Sequence, residues 1–248
     1  MSAVVLALAA GAVIGLALGA LGGGGSVLAV PALIYLLGFS PVGATTASLV
    51  IVTLTSVTAL VAHARDGHVR WRTGLLFAAA GIGPAMLGGA LASSVPAAVL
   101  TSAFAVVAGV AAVRMLRSRP AAEGTVTVRP GRAAAAGAGL GAVTGVLGVG
   151  GGFLAVPALV GVLGMRMRNA VGTSLLVITV NSLAALSMRA GTVETLDWTV
   201  VGPFIAAAVL GAWDGKRLSA KVSGRTLQRI FAVVLLAVAV FMLVDGLL

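Results

Sequence analysis

Cysteine is absent from the 248-residue chain, which excludes disulfides, thiol nucleophiles and thiolate metal sites. Histidine is nearly so. His63 and His68 are the only two, both fall in a basic gap between apolar runs, and no HExxH or other metal-ligand spacing accompanies them. No metal and no cofactor are therefore expected. Charge is scarce as well: Asp, Glu, Lys and Arg make up 9% of residues, and only 6 residues are acidic. A soluble domain needs far more charge to cover its surface. None of the carboxylates stands deep in an apolar run. Asp214 lies beside Lys216 and Arg217 and reads as their ion-pair partner, and Asp245 is near the C-terminus. A carboxylate proton relay is thus missing. So is a Ser–His or Ser–Lys pair at membrane depth, which argues against an intramembrane protease and against an enzyme. Ten-residue alternating strands do not occur, which excludes a transmembrane β-barrel.

What the chain has in abundance is apolar sequence. Hydrophobic residues make up 60%, the mean hydropathy is +1.16, and long apolar stretches recur from end to end. This pattern predicts an all-α polytopic protein of the cell membrane, with the lipid bilayer as its solvent and no separate soluble domain. The N-terminal run lacks a basic n-region and passes straight into the motif described next, so it reads as mature protein. The net charge of +10 does not indicate nucleic acid, because the basic residues sit in short gaps between apolar runs. Arg outnumbers Lys 14 to 2, which in so Ala- and Gly-rich a chain reflects composition bias. Whether copies of the chain associate is left open.

A motif occurs twice. Gly19–Leu33 (GALGGGGSVLAVPAL) returns 126 residues later as Gly145–Leu159 (GVLGVGGGFLAVPAL), identical at 11 of 15 positions. Outside it, Gly38 matches Gly164, Ser48 matches Ser174 and Thr53 matches Thr179; Trp71 and Phe104 match Trp198 and Phe231 after small adjustments. The chain therefore divides into a first transmembrane repeat over 1–117, a polar linker over 118–132 and a second repeat over 133–248. Five segments are expected in each: 3–21, 25–38, 42–62, 73–93 and 97–116, then 133–147, 152–164, 170–188, 198–215 and 227–246.

Orientation follows from the cations. If the gaps 63–72, 165–169, 216–229 and the region around the linker are cytoplasmic, 15 of the 16 basic residues lie inside, with Arg189 alone outside. The linker, 117–132, is then cytoplasmic and both termini are external. The stretch 133–164 starts and ends inside, so it dips in and returns. Its arms of about 15 residues, roughly 22 Å of helix, are too short to cross comfortably. By the same logic 3–38 is a hairpin from the other side, although its first arm, 3–21, is long enough to span. The halves thus form two inverted-topology repeats. Each has a Gly-tipped, broken or re-entrant hairpin near the bilayer midplane and about three transmembrane helices.

Bare backbone at membrane depth survives only inside protein or beside water. The tips at 22–25 and 148–152 are therefore expected to line a polar cavity, with close approach of a ligand to the backbone. The second arms begin at these tips, and their exposed N–H groups favour an anion. This makes Gly23, Gly24, Gly25 and Ser26, with Gly150, Gly151 and Gly152, candidate substrate-binding residues. Pro31 and Pro157 lie about one turn into the second arms and are candidate hinges. Hydroxyls and amides on the third segments could add donors: Thr46, Ser48, Thr173 and Ser174 opposite the tips, and Asn181 deeper in. Other threonines there are expected to bond back to helix carbonyls. Gly11, Gly15 and Gly19 read as close helix packing. Scattered glycines in GLGAVTGVLG lack the strand and acidic residue of a dinucleotide loop.

The pair GVLGVGGGFLAVPAL and NAVGTSLLVI resembles the sulfite exporter TauE/SafE family of membrane permeases, and the first copy, GALGGGGSVLAVPALIYLLGFSPVGATTASL, is similar. The resemblance runs over nearly the whole chain. It implies transport of small sulfur-containing anions or organosulfonates, such as sulfite, sulfoacetate or taurine-derived products. One departure is that the first copy has ATTASL where the second has VGTSL, so Thr46 stands opposite Gly172. A permease moving a small anion by alternating access is the leading expectation. An uncoupled, channel-like anion pore is the alternative, and a membrane enzyme or assembly factor is a third.

Overall fold

Long runs of Ala, Leu, Val and Gly without interrupting charge satisfy their backbone hydrogen bonds locally, and in this chain they do so as helices. The structure is a computed structural model in which residues 2–92, 97–117, 129–146, 152–187 and 196–245 are described. Among the described residues ten α-helices follow in order: α1 (Ser2–Leu21), α2 (Gly24–Pro31), α3 (Pro41–Arg65), α4 (Trp71–Ala92), α5 (Ala97–Arg117), α6 (Pro130–Val146), α7 (Gly152–Gly161), α8 (Met167–Ser187), α9 (Trp198–Lys221) and α10 (Gly224–Asp245). A π-helical turn, Ala32–Leu36, extends α2. No strand occurs among the described residues.

Local chemistry sets the boundaries. The Ser40 hydroxyl accepts from the Gly43 N–H at 3.2 Å and Pro41 sits in the first turn, so α3 starts there. A carboxylate oxygen of Asp197 accepts from the Thr199 N–H at 3.0 Å, and the Ser223 hydroxyl from the Thr226 N–H at 3.2 Å, which start α9 and α10. The second arms of the two hairpins end alike. Gly38 and Gly164 take φ of +70° and +66°, and the next N–H in each reaches back six residues, Phe39 to Leu33 and Met165 to Leu159, both at 3.0 Å. The duplication seen in sequence is thus a duplication of backbone geometry.

Several helices run beyond their expected ends. α3 continues to Arg65 because nothing in its last turn breaks a helix, and α9 continues to Lys221. The arm expected at 25–38 divides at Pro31, which has no N–H to donate, and the wider π turn takes over immediately. Of the linker, 118–128 lies outside the described residues.

Two helix pairs hold the bundle. A Cβ placed at Gly11, Gly15 or Gly19 of α1 would strike the carbonyl oxygens of Phe204, Ala208 and Ala212 of α9. Residue numbers rise together on both sides, so α1 and α9 run parallel, backbone on backbone. Gly211 and Gly215 return the contact onto Ala12 and Leu16. The same device joins α6 to α4: Gly137 and Gly141 lie on the carbonyls of Phe77 and Gly81. Each repeat's opening helix therefore packs on the fourth long segment of the other repeat. The packing expected of Gly11, Gly15 and Gly19 is what these residues do. Lipid offers no hydrophobic drive between helices, and small residues gain contact by allowing this approach. Phe77 and Phe204, at matching places, are 1% and 0% exposed.

Among the described residues five helices are long and apolar enough to cross a membrane: Ala3–Leu21, Gly43–Arg65, Met167–Ser187, Trp198–Lys221 and Gly224–Phe241. Their outward faces carry exposed Val5, Val13, Leu210, Val240 and Phe241, a surface suited to lipid. The contacts of the basic side chains gather at one end of the bundle, here termed the basic end. There Lys216 Nζ lies 2.7 Å from Asp66. Arg168 donates to the carbonyls of Ala220 and Val222 at 3.2 and 3.1 Å, and Gln228 donates to the Met115 carbonyl at 2.6 Å. Asp214 pairs loosely with Arg217 at 3.6 Å, while Lys216 turns to Asp66 instead.

Candidate functional site

The first hairpin turns at Gly22, whose φ is +70°. A β-carbon is strongly disfavoured there, and the space is closed too: a Cβ would lie 2.5 Å from Ser174 Oγ and 3.2 Å from the Val171 carbonyl oxygen. The turn therefore seats on α8, four to seven residues beyond its start at Met167. That is about 6–10 Å along the helix, between its basic end and its centre.

Gly23 is buried and caps α2 in ordinary right-handed geometry, φ −52° and ψ −23°. Left-handed backbone thus falls on Gly22 and not on the candidates after it. Gly24, Gly25 and Ser26 form the first turn of α2, where N–H groups have no intrahelical partner. In the second hairpin Gly150 and Gly151 lie outside the described residues; Gly152 is buried and opens α7. The two second arms, α2 and α7, pack against each other, so the hairpins meet. Pro31 ends α2 at the π turn, and Pro157 lies inside α7.

The hydroxyl candidates are all buried: Thr46 is 1% exposed, Ser48 7%, and Thr173 and Ser174 0%. Ser48 donates to the Thr45 carbonyl at 3.3 Å and Ser174 to the Val171 carbonyl at 2.8 Å. Thr173 Oγ1 accepts from the Arg70 N–H at 3.1 Å, which pins the 66–70 loop to α8. Deeper in, Thr53, Thr55, Thr58 and Thr179 bond back to carbonyls four residues earlier, as single threonines do. Thr179 also meets Ser56 across the α3–α8 contact at 3.0 Å. Asn181 differs. Its Oδ1 is buried and takes no hydrogen bond from the protein.

The structure brings together Gly22, Ser174 and Thr173 near the basic end, with α2 against α7. It also supplies residues that the sequence reading passed over. His63 is not in a loop: it is in the last turn of α3, 4% exposed, with Nε2 3.0 Å from the Gly19 carbonyl oxygen. The signal was its spacing, seven residues from the buried Ser56 and four from the buried Ala59, on one helix face. Asp66 and Lys216 close the same corner. The hydrogen bond from Lys216 holds the Asp66 carboxyl below its ordinary 3.8. Burial pulls the His68 imidazole below 6.5, with the Asp66 carboxylate acting against that.

Comparison with known proteins agrees with this architecture. Residues 7–242 match the sulfite exporter TauE/SafE family. A Xylella fastidiosa (strain 9a5c) protein described as "Probable membrane transporter protein" is 34% identical over 251 residues, covering 98% of this chain and 96% of that one. Its counterpart from strain Temecula1 is 33% identical with the same coverage. No solved structure matches the chain. With one family description spanning nearly every residue and relatives aligned end to end, the chain belongs to the TauE/SafE sulfite exporter family and is a membrane transporter, not an enzyme.

Proposed function

We propose that the chain carries a small anion, a sulfur oxyanion or organosulfonate, across the cell membrane by alternating access. The observation that carries this reading is the contact of the two second arms, α2 and α7, each of which begins at a glycine, Gly24 and Gly152. Two helix N-termini supply N–H donors and partial positive charge without a buried Arg or Lys. Thr46, Ser48, Thr173, Ser174 and Asn181 would complete the polar lining. Pro31 and Pro157 would let the second arms flex.

The two repeats, 1–117 and 133–248, are read as inserted in opposite senses. α1 ends at the basic end, where Gly19 meets His63, whereas α6 begins there, parallel to α4. Trp71 and Trp198, half-exposed at matching helix starts, then stand at opposite interfaces. The basic end is read as cytoplasmic, with the 118–132 linker on that side. The sulfur substrate class rests on the family. A second reading, an uncoupled anion pore, is favoured by the lack of any carboxylate deep within an apolar segment.

Flux into proteoliposomes tests both. Sulfite, thiosulfate, sulfoacetate, taurine and simple carboxylates should be compared for uptake and for acceleration by the same anion on the far side. Saturable uptake with counterflow of a sulfur anion is expected. Non-saturating flux without counterflow would establish the pore, and uptake confined to carboxylates would remove the sulfur assignment.

A further inference from the structure

Four elements converge on one side chain that the transport reading leaves unused. His63 Nε2 lies 3.0 Å from the carbonyl oxygen of Gly19. A carbonyl only accepts, so Nε2 carries the hydrogen and donates it. Nδ1 is buried and has no partner in the protein. In the neutral ring Nδ1 therefore holds a bare lone pair, the place where a proton adds. Gly19 is in the last turn of α1, three residues before the turn at Gly22. The bond ties the end of α3 to the descending arm of the first hairpin, 44 residues away in sequence.

The surroundings leave a second proton without compensation. α1 carries no titratable side chain. α8 presents Gly172, where a Cβ would lie 2.8 Å from the His68 carbonyl oxygen and 3.4 Å from the His63 Cβ, so the fit is close. The loop contributes Asp66 and His68, whose ring centroid is 6.2 Å from that of His63. α9 contributes Lys216, which already holds Asp66 at 2.7 Å. Arg166 and Arg168, before and within the first turn of α8, act on His68 from the same side. The one carboxylate in this group is thus engaged, and the remaining fixed charges are positive. A buried cation without a partner must be hydrated or expelled.

We propose that His63 is a proton-operated latch on the first hairpin. Neutral, it seals the ends of α3 and α1 against α8. Protonated at Nδ1, it draws in water, and the corner opens toward the basic end. The proposal rests on reading the glycine-tipped hairpin as the moving part, but its test needs no transported anion.

Amide hydrogen exchange of the full chain in lipid nanodiscs is followed at pH ~5.5 and ~8, either side of the ordinary histidine value. Rates are corrected for the intrinsic pH dependence of exchange. Protection over residues 16–23 and 63–70 should fall by up to about tenfold at acid pH, because pH ~5.5 lies one unit below the ordinary histidine value. In His63→Gln the side-chain amide can still donate to Gly19 but cannot titrate in this range, so protection should be equal at both pH values. His68→Gln should keep the response of the unmodified chain. Asp66 does not interfere, since its carboxyl already lies below 3.8. Protection indifferent to pH in the unmodified chain overturns the latch, as does a response that survives in His63→Gln or vanishes in His68→Gln. Should His63→Gln fail to fold, nitrogen-15 spectra of the histidines in the unmodified chain decide. The His63 ring must titrate together with the opening, and a ring that stays neutral while the segment opens refutes the proposal. Loss of sulfur-anion transport with the latch intact would count against the function proposed above and not against His63.

Discussion

At the residue scale, Gly22 and Gly38 form a matched pair. Both have φ of +70°, but a Cβ at Gly38 meets nothing within 4 Å, whereas one at Gly22 runs into Ser174 Oγ. Alanine at either position takes on the left-handed strain of about 1–2 kcal/mol. At Gly22 it adds an overpacking cost of about 1–3 kcal/mol. Thermal unfolding in detergent should therefore rank Gly22→Ala below Gly38→Ala, and Ser174→Ala should recover part of the difference in the double variant. Equal unfolding temperatures for the two single variants would mean that the turn does not seat on α8. Thr173→Val removes the acceptor for the Arg70 N–H and should cost about 1–2 kcal/mol. A flux loss much larger than that destabilisation would mark Thr173 as a substrate contact.

At the element scale, the close crossings of α1 with α9 and of α6 with α4 should fail in the same way. Leucine at Gly15 or at Gly141 would drive a side chain into the backbone of Ala208 or Gly81, which cannot rotate away. Each should lower stability by about 3 kcal/mol or more and reduce the folded yield, whereas leucine at Gly83, which has open space, should not. Ordinary folded yield of Gly15→Leu would contradict the backbone contact. The glycine face of α1 was legible in sequence from the four-residue spacing of Gly11, Gly15 and Gly19; its partner α9 and the α4–α6 crossing were not, because their halves are far apart in the chain. The first hairpin's turn was legible from its glycine run, with the left-handed residue at Gly22. The π turn after Pro31 was not, since the residues there spell an ordinary apolar helix. Nor was His63. Basic neighbours suggested a loop, and its partner Gly19 is 44 residues away, a pairing that a single sequence does not display. Thr173 with Arg70, 103 residues apart, is hidden for the same reason.

At the scale of the whole molecule, a net charge of +10 with the contacts of its basic side chains gathered at one end gives the bundle an electrical direction. On the proposed orientation both termini are external, so a C-terminal reporter that works only in the cytoplasm should stay silent, and one inserted within 118–128 should be active. A bright C-terminal signal would sink the inverted arrangement. The two crossings also differ in how far apart their halves are made. Phe77 and Gly137 are separated by about 60 residues, Gly11 and Phe204 by about 190. During synthesis the α4–α6 seam can close soon after the linker leaves the ribosome. The glycine face of α1 must wait, unfilled, until nearly the entire chain has emerged. A gene cut within the linker should therefore yield two fragments that are each degraded when made alone and persist when made together, because neither half contains the partner of its own first helix.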